Sequence, residues 1–445
     1  MDAAEKRTVR EAQVDPDTAD AGTPSPEDDG AAVPLHRNRE YVTWFAGTLL
    51  ASAGAGIGAF AIPLVVVVVT GSAASAGIVG MASGLGLLVM MVPGGLLADR
   101  AERRRLRLWM GVSGIAIHAV LAMMLLSGHA TLLGMAALAT LDGARTGLLG
   151  AGGIGMLRSI VAPSQLPQAL AVNQARSAAI EIGSPPLGGL LLGIGAAVPA
   201  LAEAIGNAGV VVSTLLMRGS YAPRREDAVP SRLRDDVGEA LRWCWGQAIR
   251  MRLLLVSSLT NLGSNGLLMT VVLALAAQGM PPAQIGLLSS VLAVAMLAGA
   301  LLAPRLVDAV PTGLLIVVPI CLIATAGVLL PFLTAWWVIA ATYAVLGFGI
   351  APLNAAVQGF FVLVTPDRLQ GRMGALSSTV AMVLMPVAPV VAGVGLDHLG
   401  KVPTMGIFAA VCIVAALVAA TGRDLRSIPV ASRWEAFARR NGLLP

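Results

Sequence analysis

The chain is 445 residues long, 56% hydrophobic and only 12% charged, with a mean hydropathy of +0.79. A water-soluble globular domain of that length needs far more charge to cover its surface, so that class is excluded. The net charge of +5 does not point to nucleic acid either. The arginines gather at the ends of apolar blocks, where membrane topology accounts for them.

Residues 1–40 are polar, with Asp15, Asp17, Asp20, Glu27, Asp28 and Asp29 among Pro, Thr and Ala. No apolar stretch lies near Met1, so no signal peptide is read there, and a disordered cytoplasmic tail is expected. Apolar blocks follow, each near the ~20 residues that cross a bilayer core as a helix. The first are Tyr41–Thr70, Ser75–Ala98, Leu106–Leu126, Thr131–Met156, Leu170–Gly193 and Pro199–Met217. A charged connector, 218–252, separates them from Leu253–Ala277, Ile285–Ala303, Gly313–Phe332, Trp336–Val364, Met373–Leu396 and Pro403–Thr421. A basic cytoplasmic tail, 422–445, closes the chain. Gly and Ala are plentiful inside the blocks, as expected where helix backbones meet closely in lipid. The expected fold is an all-α membrane protein of twelve transmembrane helices in two pseudo-symmetric six-helix bundles, 41–217 and 253–421.

Arginine placement tests this layout independently, because Lys and Arg gather on the cytoplasmic side. An even number of spans puts both termini on one side. All but three of the 30 Lys and Arg then fall on that side; Arg145 and Arg176 lie inside spans and Lys401 in a loop opposite. The protein is therefore expected in the inner (plasma) membrane, multi-pass, with both termini cytoplasmic.

In the connector, Leu233, Val237, Leu241, Cys244, Ala248 and Ile249 recur at helical spacing, and Arg234, Asp235, Glu239, Arg242 and Arg250 take the other face. The pattern predicts an amphipathic helix along the cytoplasmic surface, with Trp243 and Trp245 at headgroup level. It serves either as a tether or as a regulatory element. Cys244, Cys321 and Cys412 are far apart and read as small apolar filler. His36, His118, His129 and His398 are scattered, and no Walker-type phosphate loop occurs. No catalytic residue, metal or cofactor is expected, and no enzyme. His118, inside a span, reads as structural.

The two halves echo one another. Gly95-Leu-Leu-Ala-Asp99-Arg100-Ala-Glu-Arg103-Arg104 ends the second block, and Gly299-Ala-Leu-Leu-Ala303-Pro304-Arg305 ends the eighth. Pro163 follows the fourth block, and Pro366-Asp-Arg-Leu-Gln-Gly371-Arg372 follows the tenth. Similar halves joined by a connector suit a rocking transporter with its site at their interface. Gly95-x-x-x-Asp99-Arg100-x-x-Arg103-Arg104 resembles the signature loop between helices two and three of the major facilitator superfamily. That resemblance, spanning about Tyr41 to Thr421, implies alternating access. Gly95 would permit close helix approach, while Asp99, Arg100, Arg103 and Arg104 would latch the halves on the cytoplasmic side.

Ser184-Pro185-Pro186-Leu187-Gly188-Gly189 resembles the Gly-Pro-x-x-Gly-Gly element typical of drug:proton antiporters, with Ser184 in place of the first glycine. A bent, tightly packed helix that shuts off leakage is implied, and an ordinary proline kink is the plainer reading. Pro163 to Gly189, with Glu239-Ala-Leu-Arg242-Trp243, resembles the twelve-helix exporters that include macrolide-efflux and enterobactin-export proteins.

Ionisable groups at membrane depth are costly and are usually functional or paired. Asp142 and Arg145, three apart on the fourth span, share a helix face with room for an ion pair. Glu181 lies mid-way along the fifth span, and Glu203 about two turns into the sixth. These four are the candidates for proton coupling, against a fixed Asp142–Arg145 or Arg145–Glu181 pair that serves helix packing. Arg176 reads as an edge charge reaching outward. Asn207, Asn261, Asn265, Asn354 and Gln358 are candidates to line a cavity, each equally placed to bond between helices. Together these readings predict export of a small amphipathic molecule, an antibiotic, drug or siderophore, by proton antiport. A proton-coupled nutrient importer is the closest alternative, and a membrane sensor or scaffold is more distant. The partners expected are the substrate, protons and the lipid bilayer, with no nucleic acid and a monomeric chain.

Overall fold

The computed structural model describes residues 33–150, 156–157, 159–217, 219, 245–365 and 386–443, and for Asp99 and Arg100 the backbone alone. The N-terminal tail to residue 32, most of the connector, the Pro366–Arg372 loop, and Met373–Met385 of the eleventh block lie outside the described residues. Every regular element among the described residues is helical.

In chain order the helices are α1 Arg39–Thr70, α2 Ala73–Arg100, α3 Arg103–Leu126, α4 Leu132–Leu149, α5 Leu166–Ile194 and α6 Val198–Leu216. They continue as α7 Ala248–Ala277, α8 Pro282–Ala309, α9 Thr312–Leu329, α10 Trp336–Val364, α11 Val387–Leu399 and α12 Lys401–Thr421. Two short helices, α13 Arg423–Arg426 and α14 Trp434–Arg440, follow. Among the described residues ten helices are long and apolar enough to cross a membrane: α1 to α3, α5 to α10, and α12. Asp142 and Arg145 lower the apolar character of the 18-residue α4. The 13 residues of α11 are the described end of a longer apolar block.

Local chemistry sets the helix ends. Asn38 Oδ1 accepts from Tyr41 N at 3.1 Å, Ser72 Oγ from Ser75 N at 3.1 Å, and Thr131 Oγ1 from Gly134 N at 3.2 Å. Each satisfies a backbone donor that the first turn leaves free. Gly71 and Gly400, at φ of 69° and 81°, let the chain reverse within two residues between α1 and α2 and within one between α11 and α12. The bundle thus has a far end, with the turns after α1, α3, α5, α7, α9 and α11, and a tail end, where α1 begins and the C-terminal segment lies.

Helices within each half touch backbone to backbone. In the first half a Cβ on Gly86 or Gly94 of α2 would meet Thr140 O or Gly147 O of α4, and one on Gly143 or Gly147 of α4 would meet Ser83 O or Leu87 O of α2. Arg107 fastens the tail end of this half. It donates to Trp44 O at 3.1 Å, Thr48 Oγ1 at 3.0 Å and Thr214 Oγ1 at 3.1 Å, and lies over the Trp44 ring. In the second half, Gly299 and Gly347 bring α8 and α10 together in the same way. Large apolar side chains such as Leu133, Ile194, Leu301 and Trp337 stand more than 70% exposed on the outside of the bundle, as a lipid-facing surface requires.

The halves meet through the far-end portions of two helix pairs. Between α2 and α11, Gly77 and Gly80 face Pro389, Gly84 faces Pro386, and Gly393 faces Ala73. Between α5 and α8, Gly189 faces Pro282 O and Gly286 faces Pro185 O. Asp397, at the end of α11, joins the halves by hydrogen bonds. It accepts from Ser72 Oγ at 2.6 Å, Ala73 N at 3.0 Å and Ala74 N at 2.9 Å, occupying the free amides at the start of α2.

The C-terminal residues do not hang free. Trp434 Nε1 donates to Thr312 Oγ1 at 2.8 Å, and its ring meets Phe360 edge-on. Arg252 pairs with Asp424. Arg250, expected on the polar face of a surface helix, instead belongs to α7, where it is 8% exposed and donates to Leu443 O at 3.3 Å. Arg176 also differs from expectation: it is half-buried above the Phe45 ring instead of reaching outward.

Candidate functional site: a central cavity with a charged wall

A cavity of about 1050 Å³ lies between the halves, bounded by α1, α2, α3, α4 and α6 on one side and α7, α8, α10 and α11 on the other. Its lining is mostly apolar, including Phe60, Leu121, Met135, Leu268 and Met269. The Asp, Glu, His and Arg side chains in the wall all come from the first half, from three helices. Facing them, α7 and α10 supply Ser258, Asn261, Asn265 and Tyr343. Among the described residues the buried Tyr343 hydroxyl has no hydrogen-bond partner.

The charged wall forms one network. Asp142 and Arg145 of α4 pair with Nη2 at 2.6 Å and Nε at 3.0 Å from Asp142 Oδ1. Arg145 Nη1 donates to Met110 O of α3 at 2.8 Å and to Asn207 Oδ1 of α6 at 3.1 Å. Asn207 in turn donates to Glu203 O at 2.9 Å. His118 of α3 lies between the acids, with Nε2 at 2.9 Å from Glu203 Oε2 and 3.9 Å from Asp142 Oδ1. Every ionised group here has a partner of opposite charge, without which burial in a low-dielectric wall would cost several kcal/mol. The backbone is cut to fit them: a Cβ on Gly58 of α1 would overlap the Glu203 carboxylate, and one on Gly114 would overlap the Asn207 amide.

Among the proton-coupling candidates, the structure brings Asp142, Arg145 and Glu203 together, and Glu181 stands apart, exposed and outside the cavity lining. Of the two weighed pairings, Asp142–Arg145 is the one formed. Asn207, Asn261 and Asn265 line the cavity. Asn354 lines a neighbouring space of about 50 Å³ that shares Asn261 with it, and Gln358 lines neither of these two. His118 and Tyr343 were missed. The signal for His118 was its position: it alone among the four histidines falls inside an apolar block.

The two sequence motifs take different places. Ser184 is buried against Gly56 of α1, while Pro185, Pro186 and Gly189 meet α8 of the other half, and Gly188 meets Ile57 of α1. Pro186 has no N–H to give to Ile182 O, and Ser290 Oγ of α8 donates to that carbonyl at 2.5 Å. The proline thus frees an acceptor that the opposite half takes up. In the second-helix motif, a Cβ on Gly95 would meet nothing within 4 Å among the described residues, while Gly94 is the one that lies against α4. Arg103 bonds Ser159 Oγ at 2.8 Å, and Arg104 bonds Thr214 O at 3.2 Å, both within the first half. The Asp99 and Arg100 side chains lie outside the description.

Two helical halves around a cavity with a polar wall define a membrane transporter. The sequence matches the family model of the Major Facilitator Superfamily twice, over residues 44–273 and 253–440, and the chain belongs to that superfamily. No curated protein matches it. Among solved structures it is similar to a bacterial homologue of the iron transporter ferroportin in an inward-facing state (16% identity, 87% of this chain and 99% of that one, TM-score 0.65). A bacterial homologue of ferroportin in an outward-facing state gives a TM-score of 0.55 at 17% identity, covering 86% of this chain and 99% of that one. The nucleoside transporter NupG is similar at 13% identity, with 86% and 98% coverage and a TM-score of 0.68.

Proposed function

We propose that this protein is a secondary active exporter of small amphipathic molecules, of the antibiotic, drug or siderophore class, driven by proton antiport. In this reading α4 and α11 complete twelve transmembrane helices, and both termini face the cytoplasm of a cell bounded by the inner membrane. The far end is then the external side, sealed by α2 with α11 and α5 with α8, while the cavity awaits substrate from within. The better match to an inward-facing relative supports this assignment. The observation that carries the reading is the cavity itself: a large, mostly apolar space between the halves, with its Asp, Glu, His and Arg side chains joined in one network. An apolar wall accepts amphipathic cargo, and a network with an odd carboxylate responds to a proton.

Export over import is favoured by the Ser184–Gly189 element, which lies at the external seal, where it would hinder leakage. The ferroportin homologue is named for iron transport, but the cavity acids here are engaged with His118 and Arg145. Among the described residues no three His, Cys, Asp or Glu converge as a cation site. NupG keeps the importer alternative alive, because the asparagines of α6 and α7 suit a hydrogen-bonding nutrient. Uptake of a panel of fluorescent amphipathic dyes into inverted vesicles decides between them. Accumulation that collapses with an uncoupler supports export. Proton-driven uptake only in right-side-out vesicles would make the protein an importer.

A further inference from the structure

We propose that His118 and Glu203 hold the coupling proton between them, with Asp142 and Arg145 as its fixed counter-pair; this assignment rests on the proton-antiport reading. The argument is one of hydrogen-bond valence. His118 Nδ1 lies 2.8 Å from Gly114 O. A carbonyl oxygen only accepts, so Nδ1 carries a hydrogen. In the neutral ring that leaves Nε2 bare, as an acceptor. Yet Nε2 lies 2.9 Å from Glu203 Oε2, and an ionised carboxylate is also only an acceptor. Two bare lone pairs do not rest at that separation. A hydrogen must lie between them, either on Nε2 with Glu203 ionised or on Oε2 with His118 neutral. Both descriptions hold the same single proton in excess of a neutral imidazole and a carboxylate.

The charge of the wall agrees. With that proton, Arg145, Asp142, His118 and Glu203 sum to zero; without it they carry one negative charge in a cavity wall that disfavours net charge. Among the described residues, the charged groups at His118 are Glu203 of α6 and Asp142 of α4; Arg145 of α4 and Asn207 of α6 bond to these two, Gly58 of α1 lies over the Glu203 carboxylate, and Tyr343 of α10 is the titratable group on the opposite wall. His118 and Glu203 both border the cavity, so the proton can leave to water there. Loss of the proton leaves the ring one hydrogen for two acceptors, so either the Glu203 contact or the Gly114 contact must open and the ring must shift between α3 and α6. Because His118 and Glu203 belong to α3 and α6, the protonation state acts directly on how those helices meet. A cavity short of one positive charge also receives a cationic group more readily, so proton and cationic cargo compete for the wall.

The test uses purified full-length protein in detergent with protons as the only ligand. Infrared difference spectra are recorded across a pH titration of the wild type, Glu203→Gln, His118→Gln and the exposed-loop control His129→Gln. The expected result is a carboxyl band and an imidazole band that change together in one step, abolished in either pair variant and intact in the control. Should a pair variant fail to give monodisperse protein, the wild-type spectra still decide, since independent imidazole and carboxyl steps overturn the proposal. Dye accumulation in inverted vesicles supplies the second readout. His118→Gln is expected to lose both accumulation and its pH dependence, and wild-type behaviour in that variant would also overturn the assignment. A joint titration in a wild type that accumulates no dye would leave the shared proton standing and refute the export reading instead.

Discussion

Asp397→Ala is expected to loosen the far-end seal. The Asp397 carboxylate occupies three donors at the start of α2, two of them backbone amides, and so acts as a helix cap supplied by the opposite half of the protein. The group is exposed, which holds its worth to that of a surface cap, about 1–2 kcal/mol, well below the sum of three buried charge-assisted bonds. All three bonds bridge the halves and must break when the far end opens. Their loss therefore bears on the conformational equilibrium in full, and about 1–2 kcal/mol corresponds to roughly a 5- to 30-fold shift toward the far-end-open state. Asp397→Asn keeps an acceptor oxygen without the charge and is expected to fall between. The assay is electron–electron distance measurement between spin labels on His129→Cys and Gln278→Cys, exposed far-end turns of the two halves, in a background without native cysteines. A longer-distance population should grow in the order wild type, Asp397→Asn, Asp397→Ala. Identical distributions in all three would refute the reasoning and reduce the contact to a surface cap without conformational consequence.

Other outcomes follow from the close contacts. Gly58→Ala puts a methyl into the Glu203 carboxylate, where a small-to-large change costs about 1–3 kcal/mol; a lowered thermal midpoint together with lost dye accumulation is expected, and an unchanged pH profile would contradict it. Arg145→Lys cannot span Asp142, Met110 O and Asn207 together as the guanidinium does, so proton-driven transport should fail even where folding survives. Trp434→Ala removes the ring that meets Phe360 and the donor to Thr312, and should expose the C-terminal segment to protease with a stability loss of up to about 3 kcal/mol.

Hydropathy and arginine placement made the helix order readable because the bilayer imposes a length on every span and a charge bias on every turn. The site was readable only in part. Asp142, Arg145 and Glu203 announced themselves as charges where charge is costly. His118 did not, because an imidazole in an apolar helix is unremarkable until the acids facing it are known, and those lie 24 and 85 positions along the chain. Glu181 misled for the same reason: depth in the membrane can be counted from residue number, but the face on which a side chain emerges depends on helix packing.

The interlocked glycines of α2 and α4 also connect the proton pair to the seal. With Gly86 and Gly94 facing α4 backbone, and Gly143 and Gly147 facing α2 backbone, neither helix can slide without carrying the other. Asp142, 3.9 Å from His118, is thus on the same rigid body as Ser72 to Ala74, where Asp397 binds. A change in charge at His118 and Glu203 alters the pull on Asp142 and strains α4 against α3 and α6, and α2 must follow. The only element of the opposite half bonded to the start of α2 in this structure, among the described residues, is the Asp397 cap at the end of α11. On the proposed proton pair, strain would therefore reach the seal at this exposed cap, worth about 1–2 kcal/mol. If that chain of contacts is the coupling route, Gly143→Ala should separate the two events: the joint His118–Glu203 titration survives, while the far-end distances no longer respond to pH.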